Sequence, residues 1–149
     1  MSEAPVRLVD SHCHLDFPEF AEDFDGILRR ANLAGVGWMQ TIGTRLRTFD
    51  GVLAIAKRSD ALFCSVGVHP HNVGEEPEPV TAEALLARAA HPKVTGLGET
   101  GLDFFYDHSP RDLQEAGFRA HIEASRRSGL PIIVHSRSAD DETIRIMRE

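Results

Sequence analysis

Apolar positions along the chain gather into five short runs, beginning near Leu8, Val36, Leu62, Val94 and Ile132. Helix-length amphipathic segments lie between them. That alternation predicts βα units and a parallel sheet. The first run, Val6-Arg7-Leu8-Val9, leads into Asp10-Ser11-His12-Cys13-His14-Leu15-Asp16. Leu62 to Val68 is apolar almost without interruption, as a strand covered on both faces should be. Val94 to Gly98 carries two glycines, which allow neighbouring backbone to come close. The last run, Pro131 to Val134, is followed by His135-Ser136-Arg137.

The intervening segments predict helices. Phe24, Ile27, Leu28 and Ala31 recur at helical spacing, so a helix should run from about Phe20 to Leu33 and close at Ala34-Gly35. Thr44 is the expected cap of a second helix through Phe49, Val52, Leu53 and Ala56, and Thr81 of a third through Leu85, Leu86 and Ala89. Ser109, Pro110 and Asp112 form a helix start of N-cap, first-turn proline and first-turn acid. The long helix that follows should face the sheet with Leu113, Ala116, Gly117, Ala120 and Ala124, leaving His121 on the surface and ending at Gly129. Asp140 should cap a last helix with Ile144 and Met147 inward. The acidic loop before Thr81 reads as solvated surface.

At 149 residues the chain has room for one real core. Its formal charge of −7 argues against a protein that grips nucleic acid through a basic surface. It leaves open an enzyme that meets phosphate through a bound cation, which can be the largest local charge. No apolar run is long enough to span a bilayer. Met1 to Pro5 lacks the basic and apolar regions of a secretory leader. Cys13 and Cys64, the two cysteines, make no disulfide framework. A cytoplasmic protein with free thiols and no membrane partner is the expectation.

Chemistry in parallel α/β folds collects where strands end. Here those ends read His12-x-His14, His69-Pro70-His71, Glu99 and His135. Residues two apart on a strand share a face, so His12 and His14 point together and Cys13 points away. Imidazole suits zinc, manganese or iron. A carboxylate able to bridge two divalent ions is needed if a metal pair is to clamp a phosphodiester, and Glu99 is the candidate. No G-x-S-x-G elbow and no G-x-x-x-x-G-K-[ST] loop is present, which argues against serine hydrolase and phosphate-loop chemistry.

Four ordered stretches, Asp10-Ser-His-Cys-His-Leu-Asp16, Gly67-Val-His-Pro-His71, Gly98-Glu-Thr-Gly-Leu-Asp103 and Val134-His-Ser-Arg137, resemble the motifs of the TatD family of metal-dependent deoxyribonucleases. The resemblance spans nearly the whole chain. It implies a (β/α)8 TIM barrel related to the amidohydrolases, of which residues 1–149 would be the first five βα units. It implies two divalent ions (magnesium, zinc or manganese) held by His12, His14, Glu99 and His135, with Glu99 the catalytic bridging group. It places His69 and Arg137 near the substrate, read as phosphate contacts, and makes DNA that substrate. Glutamate at 99, where many amidohydrolases use a carboxylated lysine, favours this branch. Ser138 departs from the acid often found in relatives.

A barrel of this kind has eight units and about 250 residues. The family's histidine after strand six and aspartate after strand eight have no counterpart in residues 1–149. The chain alone is therefore expected to show weak or no nuclease activity, and to self-associate through exposed sheet edges. Three alternatives stand beside this reading: the same metal pair hydrolysing another ester or amide, a non-catalytic fragment, and a flavodoxin-like open sheet. Strand order separates the last, since 2-1-3-4-5 marks the flavodoxin type.

Overall fold

The computed structural model describes residues 7–149, so Met1–Pro5 and the Val6 start of the first apolar run lie outside the described residues. Five strands alternate with five helices: β1 Leu8–Cys13, α1 Phe24–Leu33, β2 Val36–Thr41, α2 Phe49–Ala56, β3 Leu62–Val66, α3 Ala82–Ala89, β4 Val94–Asp103, α4 Arg111–Ser128, β5 Ile132–Arg137 and α5 Asp140–Met147. The strands form one sheet in the order β1-β2-β3-β4-β5, and each neighbouring pair is parallel. Sequential order is that of the first five βα units of a TIM barrel. It corrects the flavodoxin-like alternative, which would insert β1 between β2 and β3.

Three apolar clusters succeed one another between the sheet and its helices. Leu15, Phe24, Met39 and Leu62 lie under α1. Phe49, Val52, Cys64, Val66, Leu85, Leu97 and Ala124 join α2, α3 and α4 to β3 and β4. Leu102, Phe118, Ala139 and Ile146 close the far end. As the run from Leu62 predicts, β3 is covered on both faces, with Leu62, Cys64, Ser65 and Val66 all buried.

β4 is longer than the apolar run implies. After a register shift between Leu97 and Thr100, it pairs again with β5 through Asp103↔Arg137. Gly98 and Gly101 make this possible, with φ of 136° and 132°. A Cβ would meet the Ile133 carbonyl oxygen at 2.5 Å from position 98, and that of His135 at 2.0 Å from position 101. Only glycine fits where the backbones come so near and φ is positive.

Helix starts differ in detail. Thr81 caps α3 as expected, accepting from the Ala84 N–H at 3.2 Å. Thr44 caps nothing; a 3-10 turn over Leu46–Thr48 precedes α2. Ser109 is diverted, accepting from Gly74 N and donating to His71 O, and Pro110 takes the cap position. Asp140 sits in the first turn of α5 and accepts from Ser136 Oγ. The acidic loop is more than solvated surface, because Glu75 binds Arg45 and Arg47 while Glu76 accepts from Leu46 N.

The inward face of α4 is rotated from the expected one. Gln114, Gly117, Phe118, His121 and Ala124 are buried, whereas Leu113 is 42% exposed. Two polar side chains occupy that stripe because each has backbone groups to satisfy. Gln114 accepts from Asp103 N (2.8 Å) and donates to Ser109 O (2.7 Å). His121 accepts at Nε2 from Val68 N (3.1 Å) and donates from Nδ1 to Gly117 O (2.7 Å). Likewise α5 buries Thr143 and Ile146, leaving Ile144 and Met147 about half exposed. Among the described residues, no helix is long and apolar enough to cross a membrane.

Two outcomes follow for stability. Phe118→Ala should cost about 3–5 kcal/mol in urea unfolding, and Leu113→Ala less than about 1 kcal/mol; the reverse ranking would contradict the observed face. Burial pushes His121 down to about 4, against the opposing pull of the Gly117 carbonyl. The unfolded chain, with an ordinary histidine near 6.5, then takes up the proton first. Stability should be full above about pH 6.5 and fall as pH drops toward 4. Unfolding midpoints at pH 7 and pH 5 check this, and His121→Gln should flatten the slope.

Candidate metal centre

His12 and His14 lie at the end of β1, their rings 5.3 Å apart edge to face. Strand alternation turns Cys13 the other way, where its thiol donates to Gln40 O at 3.3 Å. Burial, aided by Asp10 and Asp16, pushes that thiol up to about 12, and burial pushes Cys64 up to about 11. Neither is a ready nucleophile, which needs the thiolate.

Glu99 lies in the middle of β4 rather than at its end. Its N–H donates to Gly43 O at 3.0 Å. The preceding carbonyl, of Gly98, accepts from Ser65 Oγ at 2.6 Å, and the same hydroxyl accepts from Gly43 N at 3.0 Å. The Gly98–Glu99 peptide is cis. The residue after Glu99 is buried Thr100, whose hydroxyl lies 3.1 Å from His121 Nδ1. These ties fix the backbone on both sides of the carboxylate.

The two carboxylate oxygens face different histidines. Oε2 is 3.4 Å from His12 Nε2, and Oε1 is 3.4 Å from His135 Nδ1. Glu99 is thereby shared between two sets that could each hold a metal ion, His12–His14–Glu99 and His69–Glu99–His135, the ligand atoms of each lying within 4.8 Å of one another. His12, His14, Glu99 and His135 are thus brought together, although Glu99 and His135 lie within strands rather than at their ends. The set is chemically apt, since oxygen and imidazole donors together suit zinc or manganese, and magnesium where water completes the shell.

His69 joins this group, its ring 4.5 Å from that of His135. Its Nδ1 accepts from the His71 backbone N–H at 3.1 Å, which places the proton of the neutral ring on Nε2. Burial, then the nearby His135 and His71, pushes it down to about 3. Arg137 is not brought to Glu99. Its guanidinium lies over the rings of Phe105 and Tyr106, at 4.4 and 4.6 Å, and those rings are themselves exposed.

Sequence reasoning named His71 and Asp103 within its motifs but gave neither a role. Asp103 is fully buried, and its Oδ2 lies 2.7 Å from His71 Nε2 and 3.0 Å from His135 Nε2. Burial alone would raise its carboxyl, but the Tyr106 N–H and the two imidazoles outweigh that and hold it at about 2. With His135 these residues make a third set that could hold an ion. Both stand inside the four ordered stretches of the sequence, and His71 belongs to the His69-Pro70-His71 strand end; what the sequence does not show is that Asp103 and His71 meet, which only the fold brings about.

Comparison with known proteins places this geometry. The family model described as TatD related DNase matches residues 9–149. An Escherichia coli (strain K12) protein named uncharacterized metal-dependent hydrolase YcfH is 36% identical over 145 residues, covering 95% of this chain and 54% of the relative. The 3'-5' ssDNA/RNA exonuclease TatD of Enterobacter lignolyticus is 32% identical over 140 residues, covering 94% of this chain and 54% of the relative. The crystal structure of YjjV, a TatD homolog from Escherichia coli K12, superposes with a TM-score of 0.83 at 35% identity, covering 93% of this chain and 54% of that one. The chain thus spans about half the length of the relatives it matches. With four motifs in order, the strand sequence of the barrel and a family model running from β1 to Glu149, the chain belongs to the TatD related DNase family.

Proposed function

We propose that the protein acts as a divalent-metal-dependent hydrolase of the TatD type that cleaves phosphodiester bonds in DNA, and that residues 1–149 contribute the first five units of one such barrel domain. The observation that carries this is Glu99, whose two oxygens each face an imidazole from a different strand at 3.4 Å. A carboxylate oxygen and an imidazole nitrogen that close together, on each side of one glutamate, are donors that a shared divalent cation would engage at once. His12, His14, Glu99 and His135 would hold the divalent ions, Glu99 being the group common to both sets. Bound there, divalent ions would supply Lewis-acid polarisation of the phosphoryl oxygens and a lowered pKa for water.

The chain's own groups do the rest. The Nε2–H of His69 is a donor suited to a phosphate oxygen, because its Nδ1 is already taken by the His71 backbone. Arg137 would meet a more distant phosphate of a strand lying across the 104–106 loop. A net charge of −7 means that nucleic acid is not drawn to the surface at large, so affinity would rest on the centre itself. The same donor set on another ester or amide is the second reading, favoured only by the breadth of chemistry that barrels support.

After equilibration with excess Mn²⁺ or Zn²⁺, one or more ions per chain should remain bound, and Glu99→Ala should remove them. Less than one ion per wild-type chain at saturation would sink the proposal. Whatever DNA hydrolysis the protein supports should vanish with a chelator, return with Mn²⁺, and fall by at least about 100-fold in Glu99→Ala. Hydrolysis of simple esters with DNA untouched would favour the second reading. Self-association through the outer edges of β1 and β5 is part of the same proposal, and a concentration-independent monomer in sedimentation would remove it.

A further inference from the structure

Asp103 is the one fully buried carboxylate among the described residues, and every acceptor it offers is used. Its Oδ1 accepts from the backbone N–H of Phe105 (3.2 Å) and Tyr106 (2.9 Å). Its own N–H is held by Gln114 Oε1 at 2.8 Å. That leaves Oδ2, which meets the Nε2 atoms of His71 and His135 at 2.7 and 3.0 Å. These are ordinary lengths for charge-assisted hydrogen bonds. A carboxylate so anchored cannot turn to follow either ring.

We propose that Asp103 is the positioning residue of this centre: by accepting from Nε2 of both His71 and His135, it keeps the ring proton of His135 on Nε2 and aims the Nδ1 lone pair at the cation site beside Glu99. The inference rests on the metal reading above and adds to it the group that sets one ligand's tautomer and orientation. A neutral imidazole has one donor and one acceptor nitrogen, so the bond to Asp103 decides which nitrogen is left for a metal. A carboxylate behind a ligating histidine also raises its basicity and fixes its ring. Gly101 completes the arrangement, since its missing Cβ admits the His135 backbone, which a side chain there would strike at 2.0 Å. The competing possibility is that His71, Asp103 and His135 themselves surround an ion. The two short contacts on one shared oxygen, with the other oxygen saturated by backbone N–H groups, favour hydrogen bonding.

Two measurements on the full 149-residue chain decide the matter. Long-range ¹H–¹⁵N correlation of the metal-free protein should show His135 protonated at Nε2. Calorimetric titration with Zn²⁺ should show Asp103→Asn binding about 10–100-fold more weakly, with the same number of ions per chain as wild type. Protonation of wild-type His135 at Nδ1 overturns the proposal, and this result needs no variant to fold. Unchanged Zn²⁺ affinity in a folded Asp103→Asn protein also overturns it. So does the loss of one ion per chain in both Asp103→Asn and His71→Ala, which would make these residues ligands themselves. A wild-type chain that binds no Zn²⁺ but holds the His135 proton on Nε2 would defeat the metal reading while supporting the tie between Asp103 and the ring.

Discussion

The hydrogen bonds around residues 98 to 100 hold Glu99 where it can face His12 on one side and His135 on the other. The Gly98 carbonyl, the Glu99 N–H and the Thr100 hydroxyl all have partners on neighbouring segments: Ser65, Gly43 and His121. Ser65 in turn holds the Gly43 N–H, so the segment just past β2, the end of β3 and the middle of β4 are fastened through one small hydroxyl. A buried polar group left without a partner costs roughly 1–3 kcal/mol. Among the described residues no buried side-chain nitrogen or oxygen lacks one. The imidazoles come to Glu99 from other strands, His12 within β1 and His135 within β5, with His14 just past β1 and His69 past β3.

Much of this could be read from the chain itself. Five apolar runs gave five strands; β3 and β4 are buried almost throughout, whereas β1 and β5 are largely open and were legible from their short branched runs alone. That the histidines and Glu99 come together was legible because neighbouring parallel strands bring such side chains to one side of the sheet, although Glu99 lies within β4 rather than at the end expected from the apolar run. The inward face of α4 was not legible. Its stripe contains Gln114 and His121, and a reading by hydrophobicity moves such residues to the surface, in favour of Leu113 and Ala116. They are inside because backbone N–H groups at Asp103 and Val68 need acceptors there. That demand arises only when the strands are assembled. Capping was misread for a related reason. Ser109 and Asp140 are good caps in isolation, but Gly74 and His71, distant in the chain, claim the Ser109 hydroxyl, and nearby Ser136 claims the Asp140 carboxylate.

The ion pairs tell a different story from the buried hydrogen bonds. Arg127–Glu83, Arg58–Asp25 and Arg30–Asp23 are largely exposed. Solvent and salt screen pairs of that kind, so they add little to stability. They decorate the helices and leave the geometry of the centre alone. The excess of acids over bases therefore bears on what the outer surface attracts, and little on why the strands meet as they do.

The contrast between β4 and the loop that follows it has a consequence for how such a protein can be altered. At positions 98 and 101 a methyl group would collide with the backbone of β5, so this strand admits no variation where it passes Ile133 and His135. Phe105, Tyr106 and Arg137 stand largely in solvent and carry no packing duty toward the core. Attempts to retune which molecules are accepted would do well to diversify that rim and leave the glycine-bearing strand as it is, because adaptability and rigidity have been assigned here to adjoining stretches of one polypeptide.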